Sequence, residues 1–171
     1  ENSTLESIKL FSDTSNRPPL IYILHKLLNP FFTDLQSFRK VVFGISLMIP
    51  FLFYLCLRER FEKTSKSLLL LLSSVTFFNP FIRTSSFWGL EENYAIISSL
   101  AAILFLLRFI KNGNENFLIS FKSIFFVTFF SSLSIYFDQK FIIIPILCFY
   151  KIIFSYFSLR TKLTTIFCYS L

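Results

Sequence analysis

The sequence predicts an all-α fold: a polytopic α-helical integral membrane protein with about five spans plus an interfacial helix. Three observations lead there. Of the 171 residues, 54% are hydrophobic and 20% aromatic, with only three Gly, whereas a soluble globular domain is ~45–50% apolar with Gly counted in. Several runs approach the ~20 apolar residues that cross a bilayer as helix. The basic residues sit at the ends of those runs, where they anchor and orient a span.

Residues 1–35 read as an outer-face loop and an interfacial helix. Glu1–Arg17 is polar, with Leu5, Ile8, Leu10 and Phe11 at weak amphipathic spacing. Pro18-Pro19 marks a helix start, because proline pre-sets the first turn and lacks an N–H that would be unsatisfied there. The run Leu20–Phe32 is short for a span and carries His25 and Lys26 in its middle. It is expected to lie in the interface and to end at Asn29-Pro30.

Residues 36–160 read as a multi-span domain. Gln36–Lys40 leads into a first span, Val41–Leu57, which contains Pro50; neighbouring helices can re-satisfy the carbonyl that a proline frees. Arg58–Lys66 is a charged loop. A second span, Ser67–Phe78, continues toward Ile82, and a third runs from Glu91 to Ile110. Lys111–Asn116 is a turn around Gly113. Phe117–Phe137 and Phe141–Leu159 are the fourth and fifth spans, joined by a tight hairpin at Asp138-Gln139-Lys140. Residues 161–171 read as a truncated tail, so a piece of a longer protein is expected.

Alternate loops orient the chain. Arg58–Lys66, Arg108–Lys122 and Lys151–Lys162 carry ten of the 17 Lys and Arg, which makes their face cytoplasmic by the positive-inside rule. The opposite face holds Glu1, Glu6, Asp13, Asp34, Glu91, Glu92 and Asp138. Three separate elements thus bring carboxylates to the outer side.

Other classes drop out on composition. The net charge of +7 invites nucleic acid, but the basic residues are scattered at the ends of apolar runs, so no nucleic-acid partner is expected. Cys56, Cys148 and Cys168 stand alone, without metal or redox spacing. Phe and Ile are abundant while Ala and Gly are scarce, as AT-rich coding would give, so the 26 Phe are not read as a ligand cage. The sequence shows no Gly-rich phosphate loop, zinc-spaced cluster or nucleophile elbow.

Function is sought in Asn79–Arg108, where Glu91 and Glu92 head an apolar helix. At membrane depth an acidic pair marks a site by default. At the water interface it only gains ~0.3–1 kcal/mol from the helix macrodipole. Both readings stand at this point. The same face carries Arg17, His25, Lys26, Arg83, Trp88, Asp138 and Lys140. Carboxylates beside arginines suit a reaction in which a base deprotonates a hydroxyl while cations hold a phosphate leaving group. The plainer reading is solvated loop charges with Trp88 as interfacial anchor. His25 reads as a polar residue of an interfacial helix rather than a ligand.

The order of features carries a resemblance. Arg17-Pro18-Pro19-Leu20-Ile21-Tyr22 opens a helix, Phe38-Arg39 opens a span that ends in Arg58-Glu59-Arg60-Phe61, and another ends at Asn79-Pro80-Phe81. An acidic-led helix then closes at Leu106-Leu107-Arg108. Over residues 17–158 this resembles the GT-C superfamily of membrane glycosyltransferases. Within it, the similarity is to the bacterial branch related to protein mannosyltransferases, aminoarabinose transferases and Rgt-like transferases.

The resemblance implies transfer of a hexose or pentose from a polyprenyl-phosphate-linked donor to a lipid, glycan or protein acceptor. The reaction would run on the non-cytoplasmic face of a bacterial inner membrane, by direct displacement with inversion. By matching position, Glu92 (or Glu91) corresponds to the family's second acidic residue and would position the acceptor or a divalent metal ion. The family's leading carboxylate, the general base, lies in a first outer loop before the Pro-Pro helix. Glu6 and Asp13 do not form its usual acidic pair, so that base is expected upstream of Glu1, and this piece alone need not be active. Arg83, then Arg17, are candidates for the donor phosphate, and Tyr136-Phe137-Asp138 falls near a further aromatic turn of the family, which adds Asp138.

The alternative is a non-enzymatic polytopic protein, a transporter subunit or assembly factor. It predicts that the outer carboxylates do not converge. A transporter would also tend to show paired Gly/Pro-interrupted helices in repeated halves, and with three Gly and no visible repeat that support is missing.

Overall fold

The structure, a computed structural model, describes residues 20–28, 34–112, 117–154 and 157–170. Among them every element is helical: α1 (Leu20–Leu28), α2 (Leu35–Ser46), α3 (Met48–Arg60), α4 (Lys66–Ser74), α5 (Pro80–Trp88), α6 (Glu91–Asn112), α7 (Phe117–Phe137), α8 (Ile143–Ile153) and α9 (Leu159–Ser170). Short 3-10 turns lie at Val75–Phe78 and Gln139–Ile142. Arg17, Pro18-Pro19, Asn29-Pro30 and the Gly113 turn lie outside the described residues.

Local chemistry sets the boundaries. Asp34 caps α2 by accepting from Ser37 N–H at 2.7 Å, and Asn79 caps α5 by accepting from Phe81 N–H at 2.9 Å, with Pro80 at its first position. A short polar side chain at this place satisfies an N–H that the helix itself leaves unpaired. The junction of α2 and α3 sits at Leu47, one turn before Pro50, where the proline has no N–H to return to Ser46. The two segments still read as one candidate span, Gln36–Arg60.

Two helices, Gln36–Arg60 and Glu91–Lys111, are long and apolar enough to cross a membrane. A third candidate is a bent pair, Lys66–Phe78 with Pro80–Trp88, broken by 64°. The sequence carries that run on toward Ile82; the structure turns it at Asn79, where the side-chain cap and Pro80 start a new helix. Phe121–Phe137 is a shorter apolar helix. The run expected as a fifth span is not one helix. It holds a 3-10 turn and then α8, which at 11 residues is about 16 Å long, against a hydrocarbon core of about 30 Å. Leu159 already belongs to α9, whose first turn is held by Ser158 Oγ accepting from Thr161 N–H at 3.3 Å.

The core forms around α6 and α7. Ala95, Ser98, Ser99 and Ala102 of α6 and Thr128, Ser131 and Ser134 of α7 are buried. Small side chains let two backbones approach, which is how helices associate where no hydrophobic driving force separates them from lipid. Tyr169 of α9 meets Ser131 at 3.2 Å. On the other side of α6, Asn93 is 1% exposed and donates to Ser46 Oγ of α2 at 2.9 Å and to Ser86 Oγ of α5 at 2.7 Å. One amide thereby ties α2, α5 and α6 together.

Candidate functional site

The ion pairs among the described residues divide between the two ends of α6. Near its C-terminus, Arg108 donates to Glu59 at 3.0 Å, and Lys111 pairs with Glu59 and Glu62. Glu92 lies 16 residues before Arg108, about 24 Å away along a helix rising 1.5 Å per residue.

Glu92 stands in the first turn of α6, where the helix dipole favours a carboxylate. Its side chain is only 13% exposed and one oxygen, Oε1, lies 3.6 Å from Lys140 Nζ. The same ammonium lies 3.5 Å from Asp138 Oδ2. Asp138 is placed by two local contacts: it follows the last turn of α7, and its Oδ1 accepts from Lys140 N–H at 3.0 Å to start the 3-10 turn. A carboxylate at a helix C-terminus is disfavoured by the dipole, and Lys140 offsets that. Glu92 Oε2 and Asp138 Oδ2 are buried oxygens without a hydrogen bond.

The floor of this cluster is aromatic. Tyr94 stacks on Phe137 with centroids 5.4 Å apart, packed among Ile21 and Ala95. His25 of α1 meets the Tyr94 hydroxyl at 3.3 Å and stands edge-on to Phe38 at 5.1 Å. Burial lowers the His25 pKa from its ordinary value of 6.5, because an imidazolium there would lose hydration. At the head of α2, the Ser37 hydrogen bonds lower the Asp34 pKa.

Of the sequence candidates, Glu92 and Asp138 come together, bridged by Lys140. Glu91 is half-buried and adjacent; a helix rotates about 100° per residue, so it presents to a different side. Arg83 lines a separate cavity of about 590 Å³ between α2 and α5, together with Arg39, Lys40, Phe43, Phe87 and Trp88. Glu91, Glu92 and Asp138 are not among its walls. Arg17 lies outside the described residues. Sequence reading gave no role to Tyr94 or Arg39. Tyr94 lies two residues past Glu92, which was the available signal; the partners of Arg39 are far away in sequence.

Among the described residues no three His, Cys, Asp or Glu side chains lie close enough to hold a metal ion. Two carboxylates with an ammonium between them do not make a divalent-ion site. Comparison with family models, curated proteins and solved structures gave no match.

Proposed function

We propose that the chain is part of a membrane glycosyltransferase. It would move a sugar from a polyprenyl-phosphate-linked donor to a lipid, glycan or protein acceptor on the non-cytoplasmic face of a bacterial inner membrane. One observation carries the reading: Glu92 and Asp138, from different elements, converge on Lys140. The alternative of a non-enzymatic transporter subunit or assembly factor expects such carboxylates to stay apart.

In this reading Glu92 is the carboxylate facing the acceptor. A buried oxygen without a donor is ready to take a hydrogen bond from a hydroxyl, and a positioned acid or base commonly contributes ~10²–10⁴-fold in rate. Lys140 lies within ion-pair distance of both carboxylates and orients them. The acceptor hydroxyl gives its proton to the general-base carboxylate that the resemblance implies, its oxygen bonds to the anomeric carbon as the bond to the donor phosphate breaks, and the phosphate leaves with that electron pair. Arg83, with Arg17 second, is the candidate that the sequence offers for that phosphate, and the cavity that Arg83 lines does not include Glu92. The proposed spans are α2–α3, the bent pair α4–α5, α6 and the shorter α7, with α8 too short to cross alone.

The test is donor consumption. Membranes containing the full-length protein are given a radiolabelled polyprenyl-phosphate sugar, and released polyprenyl phosphate is measured. Release that vanishes in a Glu92→Gln, Asp138→Asn double variant supports the enzyme. No release by folded wild-type protein, across hexose and pentose donors, returns the chain to the non-enzymatic class.

A further inference from the structure

We propose that the cavity between α2 and α5 binds the phosphate group of a membrane lipid. It shares Arg83 with the glycosyl-transfer reading but none of the carboxylates, and its test reads binding rather than turnover.

Three cations line this cavity, Arg39, Lys40 and Arg83, and no carboxylate does. Arg39 is fixed: its guanidinium carbon lies 4.3 Å from the Phe87 ring centroid and 5.6 Å from that of Trp88. Stacking of this kind engages the flat face of the guanidinium and leaves its N–H edge for an anion. Among the described residues no carboxylate comes within ion-pair distance of Arg39 or Arg83. A phosphate suits the set, since arginine binds it through a two-pronged fork and lysine adds a point charge.

Depth points to a lipid. Arg39 and Lys40 lie in the first turns of the candidate span Gln36–Arg60, the level at which headgroups meet the hydrocarbon. Phe43 is one turn further along the same helix face as Arg39 and is exposed, so an acyl or prenyl chain can lie against it below the phosphate. Trp88 is 58% exposed, the interfacial disposition of an amphipathic ring. The Asn93 bonds to Ser46 and Ser86 hold α2 and α5 at this spacing.

Trp88 is the sole tryptophan of the chain and reports on the cavity it lines. The protein is reconstituted in phosphatidylcholine vesicles with chain-brominated phosphatidylglycerol or chain-brominated phosphatidylcholine, and Trp88 quenching is titrated. The brominated anionic lipid should quench at lower mole fraction. That preference should fall about fivefold for each charge removed in Arg83→Gln and Lys40→Gln, the worth of one basic residue at an anionic surface. Helix content by circular dichroism checks that both variants fold.

Glu92→Gln should keep the preference, so loss of turnover and loss of lipid binding are separable. Recovery of fluorescence on adding unbrominated phosphatidylglycerol assigns the site to a glycerophospholipid. Recovery by a long-chain isoprenyl phosphate assigns it to that source, and either upholds the proposal. Equal quenching by the two brominated lipids, an unchanged preference in the Arg83→Gln, Lys40→Gln double variant, or full recovery by millimolar inorganic phosphate overturns it.

Discussion

Replacing Gly89 with alanine should loosen the corner that presents Glu92. Gly89 ends α5 at φ 67°, ψ 37°, and its own N–H and that of Leu90 both close on the Ser85 carbonyl. An L side chain in this left-handed region costs roughly 1–2 kcal/mol. A Cβ there would also stand 2.8 Å from Phe38 Cζ and 3.2 Å from its Cε1. The Phe38 ring must move, and it makes the edge contact with His25, a type worth about 0.5–1.5 kcal/mol. Together Gly89→Ala should lose about 2–3 kcal/mol, a large share of a typical ~5–15 kcal/mol.

Reversible unfolding in mixed micelles, followed by circular dichroism, measures that loss. Gly89→Asn separates its two parts, because asparagine tolerates the left-handed region yet carries the same Cβ. It should lose about 1 kcal/mol, the packing part alone. Adding Phe38→Leu to Gly89→Ala should recover at least ~0.5 kcal/mol relative to additivity. A Gly89→Ala protein within about 0.5 kcal/mol of wild type, the usual error of additivity, would mean that neither the left-handed backbone nor Phe38 constrains this corner.

Three further outcomes follow from the same geometry. His25 has a lowered native pKa, so the unfolded chain binds more protons just below the ordinary value of 6.5; stability should be full above that pH and fall as the pH drops toward the native value, then level off. His25→Gln should flatten this part of a pH 5–8 unfolding series, and an unchanged slope would remove His25 as its source. Lys140→Gln should cost about 1 kcal/mol or less, because the lysine is 72% exposed, yet lower sugar transfer roughly tenfold by releasing the carboxylates from their shared cation; equal transfer per folded molecule would leave Lys140 a surface charge. Single cysteines at Lys63 and Gln139, both exposed, should label from opposite sides of the membrane, Lys63→Cys from the cytoplasm; labelling from one side would undo the orientation.

The parts of this molecule legible in sequence are those with local causes. The break at Asn79-Pro80 is legible as the end of an apolar run, though not as the start of α5, and the Asp138–Lys140 hairpin forms from one side chain and one backbone N–H. The gathering of basic residues at alternate loops needs only a count, and it matches the charge cluster of Glu59, Arg108 and Lys111 at one end of α6. Rotation about a helix axis was not legible: neither glutamate could be preferred from residue type, and it is the contact with Lys140 that singles out Glu92. Nor was the cavity, since Arg39 and Phe87 lie on different helices and no periodicity links them. The His25–Tyr94 contact spans 69 positions and is equally silent. Hydropathy registers apolar residues but not where a helix starts and stops: within Phe141–Leu159 the α-helix covers only Ile143–Ile153.

If Glu92 acts in sugar transfer, its neighbour Glu91, turned about 100° away on the same helix, should not. The direct test compares Glu91→Gln and Glu92→Gln in the full-length membrane protein, measuring transfer from a polyprenyl-phosphate sugar and normalising to folded protein. Both changes remove a charge from the first turn of α6, so each carries the same small dipole cost of ~1 kcal/mol or less. Glu91→Gln should keep near wild-type transfer and Glu92→Gln should lose ~10²–10⁴-fold. Wild-type transfer by both variants would contradict a role for Glu92, leaving the pair as the interfacial cap of a helix.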